Sequence, residues 1–363
     1  MTGRGPNVWR LLTLCWLVLL VGTGCASAPV PIPPPPAPPD SVPRVVPKPT
    51  GCDVSLTHRS GVQEGVDAAL PGQKICIFGD YVQGADLRMT RSGTRDKPIS
   101  LVSDGSTLDT IRIQADNIIV EGFDTSGGNG IKASGNNIAI TDNDVRGAAD
   151  DGIRCAPCDT ARVEGNTVRD ADGSGIVISG RDIVAQHNDV AGSRKRLATD
   201  ADGMRFSGTN LTLRDNTVHD INQRGYPAGT EPHPDCFHTF DSDGPTSYGV
   251  VLQDNRCVNV DAQCLNASGT QRHNAGVPEG QVAIQFLDNY CQSGADQAIY
   301  LDGYPDVVVR GNTFSSNYTT ALLAVHGATG VTMTDNTLVG AIAPYRVDPA
   351  STAGFQQSGN ANK

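Results

Sequence analysis

IAITDNDV (Ile138–Val145), ARVEGNTV (Ala161–Val168), IVAQHNDV (Ile183–Val190) and LTLRDNTV (Leu211–Val218) are one phrase, an alternating apolar run closed by Asn and another apolar residue. It continues as VVLQDNRC (Val250–Cys257), AIQFLDNYC (Ala283–Cys291), VVVRGNTF (Val307–Phe314) and VTMTDNTL (Val331–Leu338). The asparagines are Asn143, Asn166, Asn188, Asn216, Asn255, Asn289, Asn312 and Asn336, separated by 23, 22, 28, 39, 34, 23 and 24 residues. A unit near 23 residues, alternating and free of helical periodicity, marks a solenoid of β coils. A propeller blade needs about 40–45 residues and four strands, so the period excludes it.

A second phrase follows each asparagine, usually after eight residues: NGIKA (Asn129–Ala133), DGIRC (Asp151–Cys155), SGIVI (Ser174–Ile178), DGMRF (Asp202–Phe206), DCFHT (Asp235–Thr239), QCLNA (Gln263–Ala267), QAIYL (Gln297–Leu301) and TALLA (Thr320–Ala324). The third residue of each is apolar and points inward by period-2 alternation; the fourth points outward, giving Lys132, Arg154, Val177, Arg205, His238, Asn266, Tyr300 and Leu323. The pattern predicts an all-β, single-stranded, right-handed parallel β-helix of about nine coils, stacked ~4.8 Å apart. The repeated Asn fits an internal ladder that satisfies backbone groups of its own and the next coil. GVQEGVDAAL (Gly61–Leu70) reads as a short capping helix at the N-terminal end.

The stretch AALPGQKICIFGDYVQGADLRMTRSGTRDKPISLVSDG (Ala68–Gly105) resembles the opening of secreted pectate-lyase-like β-helix proteins, nearest to the chondroitinase B and alginate lyase type. The resemblance extends in fold and register from about Ser60 to Ala341 and includes no catalytic motif, so no family residue is carried over. It implies action on a polysaccharide, with calcium as a possible cofactor; related lyases use Lys and Arg at the chemistry. The sequence shows no clear acidic trio for calcium, and the metal stays open.

Residues 1–25 read as a lipoprotein-type signal peptide: Arg4 and Arg10 precede the apolar run Leu11–Val21, and Val21-Gly22-Thr23-Gly24-Cys25 resembles a lipobox with Gly22 where Leu is usual. Cys25 is the expected lipidation site; an ordinary signal cleaved near Ala28, or an uncleaved anchor, is the alternative. Residues 26–51 form a Pro-rich linker, with eleven prolines between Ala26 and Thr50, that favours extended polyproline II. The β-helix domain is placed at 52–342 and a flexible tail at 343–363. These features predict a secreted, extracytoplasmic cell-surface lipoprotein, monomeric, meeting the membrane only through its anchor. A net charge of −11 with no basic run disfavours nucleic acid, whereas a local cationic groove still admits an anionic sugar.

Eight cysteines follow Cys25, an even number in an exported chain, so disulfides are expected. Register suggests Cys52–Cys76, Cys155–Cys158, Cys236–Cys264 and Cys257–Cys291, the last two between neighbouring coils.

Insertions locate the chemistry. Asn188 to Asp202 takes fourteen residues and Asn216 to Asp235 nineteen, against the usual eight; Asp235 to Asn255 takes twenty and Gln263 to Asn289 twenty-six. All four long loops flank the strands bearing Arg205, His238 and Asn266, and a rigid scaffold lengthens its loops at low cost where it builds a site. The walls are Ala191–Ala201, Ile221–Pro234, Phe240–Tyr248 and Ala267–Gly280. Within them, His238 is the candidate base and Arg205 the carboxylate neutraliser of a β-elimination on a uronate. Arg154, Lys195, Arg224, His233, Asn266 and Tyr300 are candidate substrate-binding residues. Asp202 and Asp235, one coil apart in a single column, are the candidate pair of a glycoside hydrolase instead. A non-catalytic glycan-binding protein is the third reading. Bland roles stand beside these: Asp before Gly is often a turn residue, and an outward Arg is often solvated.

Overall fold

One residue sets a corner of every coil. Asp142, His187, Asp215, Asp254, Asp288 and Asp335 precede ladder asparagines with φ between 52 and 57°, and Gly165, Gly311 and Gly359 stand at the same place with φ of 66–71°. This left-handed backbone is open to Gly and tolerated by Asp, which is why the phrase reads Asp or Gly before Asn. The corner aims each asparagine inward, and Asn143 through Asn336 are no more than 2% exposed. Asn143 Nδ2 donates to Asn166 Oδ1 at 3.0 Å and to the Val120 carbonyl at 3.2 Å, while the same Oδ1 accepts the Asn143 backbone N–H. The pattern repeats coil after coil and ends at Asn360, which accepts the backbone N–H and side-chain amide of Asn336 at 3.1 and 2.8 Å.

The computed structural model describes residues 46, 48–79, 84–196, 200–240, 247–269, 280–340 and 342–363. Among them, thirty strands pair in parallel and wind into three faces. One of these faces carries the second phrase. Its inward residues, Ile131, Ile153, Ile176, Met204, Phe237, Leu265, Ile299 and Leu322, are at most 1% exposed and share one continuous core. Its outward column runs in strict register: Arg88, Arg112, Lys132, Arg154, Val177, Arg205, His238, Asn266, Tyr300, Leu323, Arg346. The helix Arg59–Asp67 closes the N-terminal end of the core, burying Val62 and Val66.

Three expectations need correction. The column holds eleven positions, so the stack is longer than nine coils. The stretch 343–363 is not a frayed tail: Ala343–Val347, Gln356–Ser358 and Ala361–Asn362 each pair with the coil before, and Asn360 carries the ladder into them. Cys52–Cys76 and Cys155–Cys158 are bonded as expected, with Cα separations of 5.7 and 5.6 Å. Cys236, however, bonds Cys257 rather than Cys264, leaving Cys264 and Cys291 as buried thiols. Residues stacked in one column of a parallel sheet project side by side, whereas Cys236 and Cys257 lie on different faces of one coil and meet across the interior. The leader, Cys25 and most of the Pro-rich stretch lie outside the described residues.

Candidate active site

Several outward residues of the functional face are covered. Lys132, Val177, His238 and Asn266 point out of the coil yet are 9% exposed or less. At His238 the second long loop supplies part of the cover: His233 donates its backbone N–H to Asp200 Oδ1 at 2.8 Å. The first two loops also hold each other, since the Lys195 N–H donates to Tyr226 Oη at 2.8 Å and Lys195 Nζ to the Thr230 carbonyl at 3.0 Å.

Asp202 and Asp235 open their strands and are fully buried. Each uses Oδ1 structurally, accepting the backbone N–H of the next coil: Asp202 from Asp235 at 3.1 Å, Asp235 from Gln263 at 2.8 Å. Asp151 does the same for Ser174 at 2.9 Å. The other oxygen serves the surface. Asp202 Oδ2 accepts Arg205 Nη2 at 2.6 Å and Nε at 3.1 Å, and lies 3.1 Å from His238 Nδ1. Asp235 Oδ2 accepts Asn266 Nδ2 at 3.0 Å and lies 3.1 Å from His233 Nδ1 and 3.6 Å from His238 Nδ1. Phe240 borders the cluster, its ring centroid 4.8 Å from that of His238 and 4.9 Å from the Arg205 guanidinium carbon.

These contacts set the proton affinities. Burial pulls the His238 pKa down, but Asp202 and then Asp235 more than offset it, and the net direction is up. The hydrogen bond that His233 makes to the Asp235 carboxylate raises its pKa to about 9. Burial pushes Asp235 up, and the negative charge of Asp202 adds to the push. Asp202 moves down: burial opposes ionisation, but His238 and Arg205 outweigh it. Burial and Asp202 also raise Asp200. The mutual attraction of these groups thus favours the cationic forms of His233 and His238 and the ionised form of Asp202.

Over residues 98–225 the sequence matches the family model for a right handed beta helix region. No curated protein matches it. Among solved structures, the tailspike protein of E. coli bacteriophage HK620 is similar with a TM-score of 0.56 at 11% identity, covering 84% of this chain and 63% of that one. A PL6 family polysaccharide lyase from Pseudopedobacter saltans gives 0.50 at 12% identity over 86% of this chain and 92% of that one. An alginate lyase from Paenibacillus sp. gives 0.48 at 16%, over 85% and 94%. The chain is a right-handed parallel β-helix. At these identities the likeness is one of fold.

On this β-helix, His238, Arg205, Asp202, Asp235, His233 and Asn266 come together as one cluster, with Tyr300 stacked next to Asn266 in the column and its hydroxyl 3.3 Å from Asp302 Oδ2. Arg154 lies two coils from Arg205, beyond Val177, and pairs with Asp151 at 2.9 Å. Lys195 is tied into the loop pair, and Arg224 lines a separate cavity of about 360 Å³ with Asp170, Arg194 and Tyr226. The wall segments 197–199, 241–246 and 270–279 lie outside the described residues. Two residues of consequence carried little sequence signal. Asp200 stands two before Asp202 and reads as one more loop acid; Lys132 reads as a solvated ladder member. Burial in fact pulls the Lys132 ammonium below the usual lysine range, against Asp151 and Asp150.

Asp200, Asp202 and His238 bring ligand atoms within 4.8 Å of one another. Calcium takes six to eight oxygens, whereas this set mixes an imidazole with two carboxylates, and Asp202 Oδ2 already accepts Arg205. Among the described residues the set does not fit calcium.

Proposed function

We propose that this β-helix cleaves an acidic, uronate-containing polysaccharide by β-elimination, with His238 and Arg205 as the catalytic residues. The observation that supports it is the sharing of one buried carboxylate oxygen, Asp202 Oδ2, by His238 Nδ1 and Arg205, neighbours in the outward column. That contact orients the imidazole and leaves Nε2 without a hydrogen bond among the described residues. Nε2 takes the C5 proton of the uronate, and the C5–H electron pair forms the C4–C5 double bond. The C4–O pair leaves with the departing sugar oxygen, which takes up a proton. Arg205 neutralises the uronate carboxylate, so that negative charge builds against a fixed cation. Asp202 stays ionised, stabilising the imidazolium that results. Asp202 and Asp235 act here as positioning residues.

Burial weighs against the hydrolase alternative. A hydrolytic pair needs both carboxylates at the scissile bond, and both are fully buried with one oxygen each engaged by backbone. The glycan-binding alternative leaves the coupled acid–base cluster without a use. The proposed location is outside the cytoplasm, on a lipid anchor at Cys25. Mass spectrometry of digests tests the reaction: elimination yields fragments one water lighter than hydrolysis does, and His238→Ala should yield none. Hydrolysis-type masses would move the case to Asp202 and Asp235.

A further inference from the structure

The outward column is electrically one-sided about His238. Toward the C-terminal end come Asn266, Tyr300 and Leu323, and no cation appears until Arg346 in the terminal coil. Toward the N-terminal end come Arg205, Val177, and then Arg154, Lys132 and Arg112 on consecutive coils. With coils ~4.8 Å apart, the gap at Val177 separates Arg154 from Arg205 by roughly 10 Å. A cavity of about 360 Å³ opens over this N-terminal run, lined by Arg112, Lys132 and Arg154 together with the Asp150 carboxylate, the amides of Gln114 and Asn129 and the hydroxyl of Ser134. It is a different cavity from the one at Arg224.

The charges in it are unequally compensated. Lys132 Nζ donates to the Asp151 carbonyl at 2.6 Å and lies 3.1 Å from Asp150; Arg154 pairs with Asp151 at 2.9 Å. Arg112 is exposed and has no acidic partner among the described residues. In a chain of net charge −11, three cations set against Asp150 and Asp151 leave this concave run with an excess of one positive charge, carried by Arg112, a local reversal of sign. Its lining suits a ligand rich in both anionic groups and hydroxyls.

We infer that Arg112, Lys132 and Arg154 form a distal subsite for an anionic glycan, so that the chain entering the His238 site extends toward the N-terminal coils and not the other way. Arg112, the uncompensated cation, meets a uronate carboxylate; Lys132 and Arg154 hold the next anionic unit, with Gln114, Asn129 and Ser134 taking hydroxyls. The inference rests on the acidic-glycan reading but not on β-elimination.

The test is calorimetric binding by the full chain carrying His238→Ala, with a uronate hexamer, a uronate dimer and the uncharged hexamer as probes. The hexamer is expected to bind, to weaken as salt rises, and to lose about tenfold in affinity in Arg112→Gln, the worth of one charge-assisted hydrogen bond. The dimer, too short to span the Val177 gap, should bind the Arg112→Gln protein as it binds the parent. Equal loss for dimer and hexamer, no loss for either, or equal binding of the uncharged hexamer would overturn the subsite. Loss of hexamer binding in Arg112→Gln, together with no unsaturated product from the chain with His238 intact, would retire the lyase reading and leave the subsite standing.

Discussion

At the scale of single residues, the proposal turns on what Asp202 does to His238. A base must be neutral to accept a proton, and Asp202 raises the His238 pKa above the ordinary 6.5, so turnover should climb with pH through the raised value. Asp202→Asn keeps an acceptor in place but removes the charge; the acidic limb of the pH–rate profile should then move to lower pH. An unmoved limb would mean that Asp202 does not act through His238. His238→Ala should lower turnover by about 10²–10⁴-fold. His233 gives an independent readout through stability. Its folded pKa of about 9 lies above its ordinary 6.5, so its pairing with Asp235 stabilises fully below 6.5 and is lost as pH rises toward 9. Urea midpoints of the parent and His233→Gln should therefore differ at about pH 6 and converge near about pH 10. These roles were only half legible beforehand. EPHPDCFHTFD (Glu231–Asp241) announces a titratable cluster by its density, but sequence spacing does not say that Asp202 and Asp235 are buried beneath the histidines.

At the scale of the coil, stability lies in the asparagine ladder and the packed interior. Asn255→Ala removes the acceptor for the Asn216 backbone N–H and amide and the donor to the Leu213 carbonyl, all buried. The cost should be about 3 kcal/mol, read from the chemical denaturation midpoint. Asn360→Ala, in the half-exposed last coil, should cost clearly less. Equal losses would mean that burial does not set the ladder's strength. The cysteines make a second prediction. Cys264 and Cys291 should resist a thiol reagent until the chain unfolds, and a peptide map should recover Cys236 joined to Cys257. The coil is where the sequence is most readable, because a left-handed corner restricts one position to Asp, Gly or their like and the interior restricts its neighbours. Disulfide pairing was not readable, because column register tells which cysteines stack but not which face each other across the core. The last coil is hard to read for a similar reason: Gln356–Ser358 is polar throughout, and only Gly359-Asn360 keeps the motif.

At the scale of the molecule, one face of the β-helix carries a buried acid–base cluster and a cationic run to one side. The insertions in the repeat pointed to that face, since two unusually long spacings precede the Arg205 and His238 strands and two follow the His238 and Asn266 strands. The charge asymmetry was not visible in the overall composition, which is acidic, and needed the register to line Arg112, Lys132 and Arg154 in one column. Chelation should leave turnover intact, since the donors around Asp202 already hold Arg205 and His238. The decisive measurement is absorbance near ~235 nm from the full chain with a panel of uronate polymers, where the unsaturated uronate left by proton abstraction absorbs. The account predicts a rise with at least one polymer that disappears in His238→Ala. New reducing ends without any rise, or a rise that survives His238→Ala unchanged, would contradict it.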